Sequence, residues 1–297
     1  MTKSGFIALI GRPNVGKSTL LNQLLGEKIA ITSSKPQTTR NRIQGVYTEG
    51  DTQMVFIDTP GIHKPVHKLG EYMVETAQQT MGGVDLVLLL VEPGQPRQGD
   101  IDIVRRAGKQ GVPIVLVLNK MDSISKSELI VSLQAFQEIY DFAEVVPVSA
   151  KTGENKKELL TIVQQYLPEG PFFFPEDMLT DQPERQLVAE MIREKALQLL
   201  QKEIPHGIAV MIDSFKEREE KALIDIDATI VCEKSSHKPI IIGKGGRTLK
   251  EIGTRAREDV QKLLDIPVNL QLWVKVKERW RDSEFLMRNF GFDRKEL

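Results

Sequence analysis

Residues Gly11-Arg12-Pro13-Asn14-Val15-Gly16-Lys17-Ser18 spell G-x-x-x-x-G-K-S. The apolar residues 6–10 precede the string and the leucine-rich residues 19–25 follow it, so it sits where a strand turns into a helix. Its two glycines let the backbone wrap an anion with N–H groups pointing inward. A helix beginning near Gly16 adds the positive end of its dipole. In that setting Lys17 reaches the β and γ phosphates of a nucleoside triphosphate, and the Ser18 hydroxyl holds magnesium. The plain alternative is a glycine turn capping an ordinary helix, and the flanking segments argue against it.

Three further strings carry chemistry that fits the first. Asp58-Thr59-Pro60-Gly61 follows an apolar run, with Ile62 after it. Asp58 belongs to the magnesium shell through water, and the Gly61 N–H can bond a γ-phosphate only while that phosphate exists. Thr39 is the expected second hydroxyl on magnesium, with Thr38 as its rival; ordinary loop polarity is the competing reading of both. Loops built this way are ordered by triphosphate and released on hydrolysis. Asn119-Lys120-Met121-Asp122 reads the base. One carboxylate accepts from both guanine N1–H and the exocyclic amine, a donor pair that adenine lacks, while Asn119 and Lys120 brace the loop. Ser149-Ala150-Lys151 supports the base from the other side. Lys17, Thr39, Gly61 and Asn14 are expected to act on the transferred phosphate. His63, just past Gly61, is a weak candidate for a base, because its loop is polar and without pattern.

The elements that position these strings alternate strand and helix. Residues 43–47 and 53–57 flank Glu49-Gly50-Asp51 and read as a hairpin. Residues 32–41 read as a mobile polar loop. Strands at 85–91, 112–118 and 144–148 alternate with helices at 71–80, 101–109, 127–140 and 156–166. The pattern predicts a doubly wound α/β domain with a mixed sheet, whose ligands bind at the carboxyl ends of the strands. All four strings fall there. The chain has 297 residues, 27% of them charged, and a net charge of −1, so a nucleic-acid surface must be a local patch. Its one cysteine, Cys232, excludes an internal disulfide framework and reads as a buried strand residue. Residues 1–10 read as a strand, not as a secretion signal. The apolar run 86–91 is too short to span a bilayer.

Residues 167–176 hold three prolines and a glycine and predict a linker whose phenylalanines pack on a domain. The predicted organisation is a nucleotide domain at 1–168, a linker at 169–182 and a second domain at 183–297. The second domain reads helix, strand, strand, short helix, G-x-x-G, helix, strand. Its first helix, 183–203, is capped by Asp181 or Gln182, and its apolar stripe suits burial on the following strands better than a membrane. Gly243-Lys244-Gly245-Gly246-Arg247 opens the second long helix. Such a loop admits a nucleic-acid backbone, with Lys244, Arg247 and Lys250 supplying charge and Lys238, Arg255 and Arg257 nearby. Lys275, Lys277, Arg279 and Arg281 near Trp273 and Trp280 extend that site or form a plain exposed strand end.

The four strings, together with Gln37-Thr38-Thr39-Arg40-Asn41, resemble translation-factor-type GTPases, and the second part resembles a type II KH RNA-binding domain of α+β class. With Phe174-Pro175-Glu176-Asp177 between them, essentially the whole chain is similar to the Era-like family of bacterial GTPases. The resemblance implies GTP/GDP and magnesium as ligands. It implies binding near the 3′ end of small-subunit ribosomal RNA and a role in small ribosomal subunit maturation. It also implies a cytoplasmic protein with some association at the inner face of the membrane; the sequence leaves the oligomeric state open, with a monomer favoured.

Ras-like enzymes place a water-orienting glutamine directly after the D-x-x-G glycine. Ile62 stands there and has neither donor nor acceptor. An arginine finger in trans is one remedy. A potassium ion is another, ligated by the Asn14 carbonyl oxygen, as in some related GTPases with an equivalent asparagine; a local hydrogen bond bracing the loop is the competing role. Two other functions are weighed. An assembly factor with a purely structural nucleotide would show no hydrolysis stimulated by RNA. An ATP-dependent kinase is disfavoured by Asp122.

Overall fold

A computed structural model describes residues 1–62, 65–218 and 222–296. The chain divides into two compact units, one of Met1–Pro65 with Gly70–Asp181 and one of Val66–Leu69 with Gln182–Leu297.

The first unit runs β1 (Lys3–Ile10), α1 (Lys17–Leu25), β2 (Ile43–Glu49), β3 (Thr52–Asp58), α2 (Lys68–Thr80), β4 (Leu86–Val91), α3 (Gln98–Gly108), β5 (Ile114–Leu118), α4 (Lys126–Gln137), β6 (Glu144–Pro147) and α5 (Lys156–Gln165). Its six strands lie in the order β2-β3-β1-β4-β5-β6. Only β2 is antiparallel to its neighbour, because the two-residue turn at Gly50 and Asp51 returns the chain as a hairpin. The four central strands are buried on both faces, which is why β4 reads Leu-Val-Leu-Leu-Leu-Val without alternation. Ala8, Ile10, Leu89, Val91, Leu116 and Leu118 pack with Ile103, Val104 and Ala107 of α3 and Phe136 of α4. With the sheet clamped between helices, the loops leaving the carboxyl ends of β1, β3, β4, β5 and β6 share one rim.

Residues 169–181 belong to the first unit and lie bonded along its hairpin. Val46 N–H donates to Leu179 O at 2.8 Å, and Thr180 Oγ1 donates to Gln44 O at 2.6 Å. The fully buried Gln53 side chain accepts from Phe173 and Phe174 N–H at 2.8 and 3.0 Å and donates to Phe174 O at 2.9 Å. Backbone partners along its length make this proline-rich segment a fixed strap.

The second unit runs α6 (Glu184–Leu199), β7 (Ala209–Arg218), β8 (Leu223–Cys232), α7 (His237–Ile242), α8 (Arg247–Leu264), β9 (Val268–Val276) and α9 (Glu284–Asn289). β8 lies between β7, antiparallel, and β9, parallel. Ile224, Ile226, Ala228, Ile230 and Cys232 alternate along β8 and face Val188, Met191, Ile192 and Ala196 of α6 and Ile252, Ala256 and Val260 of α8. α6 starts later and ends earlier than the spacing predicts. Pro183 itself holds the N-cap position. α6 also buries Arg193, Glu194 and Lys195, the last paired with Glu194 at 2.9 Å and Asp259 at 2.5 Å.

Candidate functional site

The phosphate loop owes its shape to positive φ at Gly11, Asn14 and Gly16. Gly16 has φ 103°, and a Cβ there would lie 2.2 Å from Asn119 Nδ2, so only glycine fits. Asn14 has φ 66°, a conformation asparagine tolerates. Lys17 opens α1 and is buried, its Nζ donating to Gly11 O and Arg12 O at 3.2 Å each. Burial lowers its pKa to about 8 against the pull of Asp58. A cavity of about 140 Å³ opens over the loop, lined by Asn14, Gly16, Lys17, Ser18, Thr39 and Gly61 among others.

Beside Lys17, three oxygen-bearing side chains meet, from the start of α1, the loop before β2 and the end of β3. Ser18 Oγ donates to Asp58 Oδ2 at 2.6 Å, Thr39 Oγ1 to the same oxygen at 3.3 Å, and the two hydroxyls stand 2.8 Å apart. Thr38 also lines the cavity, and its Oγ1 donates to Lys35 O at 2.7 Å. Asp58 is fully buried, and its Oδ1 has no hydrogen-bond partner. Burial raises the Asp58 pKa, while Lys17 and the bonds from Ser18, Thr39 and Thr59 lower it. Two hydroxyls and a carboxylate with a spare buried oxygen fit a hard divalent cation and its water. Thr38, Thr39 and Arg40 are buried, and Asn14 Nδ2 donates to Ser34 O at 2.9 Å. The segment that composition reads as a mobile loop is therefore folded against the phosphate loop. Thr59 Oγ1 donates to Leu9 O at 2.8 Å, and a Cβ on Gly61 would lie 2.8 Å from Pro13 Cα. Pro60 lies buried between them, and Ile62 N–H points at Gly11 O, 3.4 Å away. His63 lies outside the described residues.

Asn119 ties the rim together. Its Nδ2 donates to Val15 O at 2.8 Å, and its Oδ1 accepts from Ala150 N–H at 2.9 Å. Phosphate loop, base loop and the 149–151 loop are thus held by one buried amide. Lys120, at φ 64°, donates to Asn14 O at 2.9 Å and to Glu92 Oε1. Met121 N–H bonds Val148 O at 3.2 Å, and Ser149 Oγ donates to Asp122 Oδ1 at 2.7 Å, orienting that carboxylate. Lys151 is exposed at the edge. Arg12 is not aimed at the phosphates; its Nε bonds the buried Asp100 at 2.7 Å.

In the second unit Gly243, at φ 75°, ends α7, and a Cβ there would meet Thr248 Oγ1 at 2.3 Å. Gly245 and Gly246 also have positive φ, with open space around both. Lys244, Arg247 and Lys250 are exposed beside them. A groove of about 390 Å³ runs on from Gly246, floored by Leu249, Gly253, Leu270 and Leu272 and edged by Lys250, Thr254 and Arg257. The β9 floor is absent from the sequence reading. Its signal is Leu270 and Leu272 alternating opposite the small Gly253. Trp280 does not extend this site: it is fully buried, its Nε1 donating to Gly207 O at 2.9 Å, and Arg281 pairs with Glu233 at 2.5 Å. Trp273 stays half-exposed. Cys232 is buried, and burial raises its thiol pKa.

A phosphate loop, a buried Ser–Thr–Asp cluster and an N-K-x-D loop on one sheet rim define a P-loop GTPase, here followed by an α-β-β-α-α-β unit. Residues 6–120 match the family described as 50S ribosome-binding GTPase, and residues 203–281 match the KH domain. The chain is 54% identical over 293 residues to the GTPase Era of Clostridium kluyveri, covering 98% of this chain and 100% of that one. It is 52% identical to the GTPase Era of Clostridioides difficile, covering 99% and 100%. A crystal structure of Aquifex aeolicus Era bound to GDP·AlF4⁻ superposes with TM-score 0.95 at 41% identity, covering 98% and 100%. A structure of Era with MgGDPNP and nucleotides 1506–1542 of 16S ribosomal RNA gives TM-score 0.96 at 41% identity, covering 99% and 100%. The chain belongs to the Era family of GTPases, and it hydrolyses GTP.

Proposed function

We propose that this chain is a GTP-driven switch that binds small-subunit ribosomal RNA near its 3′ end and acts in maturation of the small ribosomal subunit. One observation carries the reading: a complete nucleotide rim and a basic, apolar-floored G-x-x-G groove stand on one chain. The relative solved with MgGDPNP and 16S RNA over its whole length supports it. In this reading Lys17 and the backbone of residues 11–18, through its N–H groups at the positions other than Pro13, hold phosphate. Ser18, Thr39 and, through water, Asp58 hold magnesium. Gly61 senses the γ-phosphate, Asp122 reads guanine, and residues 243–247 with Lys250 hold RNA. The nucleotide domain takes residues 1–168, a linker 169–182 and the RNA-binding domain 183–297. A monovalent cation at Asn14, monomeric state, cytoplasmic location and peripheral contact with the inner membrane face complete the reading. No helix among the described residues is long and apolar enough to cross a membrane. The test is GTP turnover with and without an RNA carrying the small-subunit 3′ end; a rate indifferent to that RNA favours a structural nucleotide.

A further inference from the structure

We propose that Glu92 is a positioning residue for nucleotide retention, fixing the Lys120 ammonium behind the phosphate loop and so locking the base-reading loop to the loop that holds phosphate. The proposal rests on the nucleotide lying between residues 11–18 and 119–122.

Glu92 follows the last residue of β4, and β4 lies between β1 and β5. Topology therefore delivers its side chain between the two loops that those strands carry. The carboxylate, 24% exposed, meets Lys120 Nζ through Oε1, while Oε2 lies 3.7 Å from Arg12 Nη2 and 4.0 Å from Arg97 Nη2. Lys120 Nζ also donates to Asn14 O at 2.9 Å, and Arg12 Nε bonds Asp100 Oδ1 at 2.7 Å. Asp100 Oδ2 in turn accepts from Arg97 N–H at 3.0 Å. Three cations from three loops thus converge on two carboxylates.

Two consequences follow. With its ammonium held by Glu92 and Asn14, Lys120 keeps its hydrocarbon stem along the rim, where it can cover a base face. Its left-handed backbone, costly for a lysine, is tethered at the far end of the side chain. Removing the carboxylate leaves a partly buried ammonium short of its counter-charge, and the stem is free to leave the base. Glu92 meets the nucleotide cavity through Lys120, which lines it, so its expected effect is on residence of the nucleotide and not on the chemical step.

The experiment measures release of fluorescent GDP and steady-state GTP hydrolysis on the full chain. Glu92→Gln keeps size and one acceptor oxygen, and Glu92→Ala removes both. Release is expected to quicken about fivefold to tenfold in Glu92→Gln and more in Glu92→Ala. KM should rise with it, while kcat at saturating GTP stays within about twofold. Added to Lys120→Ala, Glu92→Gln should quicken release by less than about twofold, since both remove one contact. Unchanged release in both Glu92 variants, effects that multiply in the double variant, or kcat falling at constant KM would each overturn the proposal. Lys120→Ala and Asp122→Asn without effect on GDP release would overturn the nucleotide placement itself, and the Glu92 role with it.

Discussion

In the proposed reading base selection falls to the Asp122 carboxylate, which the Ser149 hydroxyl orients from behind. Reading guanine takes two acceptors side by side, and an amide supplies one acceptor and one donor. Xanthine has a carbonyl where guanine has its amine, so Asp122→Asn should lose guanine and gain xanthine. A bidentate pair discriminates by about 1–3 kcal/mol, so GTP affinity should fall roughly tenfold to hundredfold while xanthosine triphosphate binding appears. Competition binding of the two nucleotides checks this, and full GTP preference in the variant would remove Asp122 as the reader. Asn14 has a second residue-scale role to test. Its amide nitrogen bonds Ser34 O, which fixes the side-chain plane and leaves the carbonyl oxygen to ligate a cation. Ile62 lacks a group to orient water, so slow unaided turnover is expected, about 10⁻⁴ to 10⁻² per second. Hydrolysis should run faster in potassium than in sodium at equal ionic strength, and Asn14→Ala should erase the difference. Identical rates in the two salts for the parent chain would leave Asn14 with only its loop-bracing bond.

At the scale of elements, both sites are short loops launched from rigid frames, and glycine decides what can approach them. Gly245 has φ 60°, and a Cβ there would have nothing within 4 Å, so a nucleic-acid backbone can lie against it. Gly245→Asp adds a side chain and a negative charge at that surface and strains the left-handed backbone. RNA affinity should fall at least tenfold with GTP affinity intact, measured by filter binding alongside a melting curve. Retained RNA binding in a folded variant would remove the G-x-x-G loop from the interface. The glycine strings and the apolar strands beside them were legible in the sequence because their meaning is local: a strand, a tight turn and a helix start lie within about twenty residues. What escaped was long-range. Glu92 meets Lys120 and Arg12 across 28 and 80 residues, and no string announces it. The groove floor needs β9 set against α8 before Leu270 and Leu272 face Gly253. Trp280, among basic neighbours, reads as a surface aromatic until Gly207, 73 residues upstream, provides its acceptor. Arg193, Glu194 and Lys195 break the apolar stripe of α6 on paper, yet all three are buried, since Asp259 of α8 answers Lys195 and Glu190 answers Arg193 at 2.5 Å.

At the scale of the whole molecule the two sites share one chain, and the strap shows how one can feel the other. β2 begins four residues after Thr39, and β3 ends at Asp58. The hairpin is therefore anchored at both ends by groups gathered where the γ-phosphate and its metal would act. The strap bonds to that hairpin at Gln44, Gly45, Val46 and Gln53 and then runs on into α6, the first helix of the RNA-binding unit. Order at residues 39 and 58 is therefore predicted to bias the segment from which the second unit starts. Coupling of this kind is reciprocal: the factor by which triphosphate tightens RNA binding must equal the factor by which RNA tightens triphosphate binding. Typical couplings of about 1–3 kcal/mol correspond to roughly fivefold to 150-fold. The 3′-terminal RNA should bind at least fivefold tighter to the chain loaded with a non-hydrolysable GTP analogue than to the GDP form. The same RNA should strengthen analogue binding relative to GDP binding by a matching factor, and it should raise kcat for GTP. Substituting Gln53→Ala, which unties the strap from β3 and leaves both ligand sites untouched, should shrink the two affinity factors together. Equal RNA affinity in the GDP and analogue forms, with turnover indifferent to RNA, would make the nucleotide a structural ligand of an RNA-binding protein and end the switch reading.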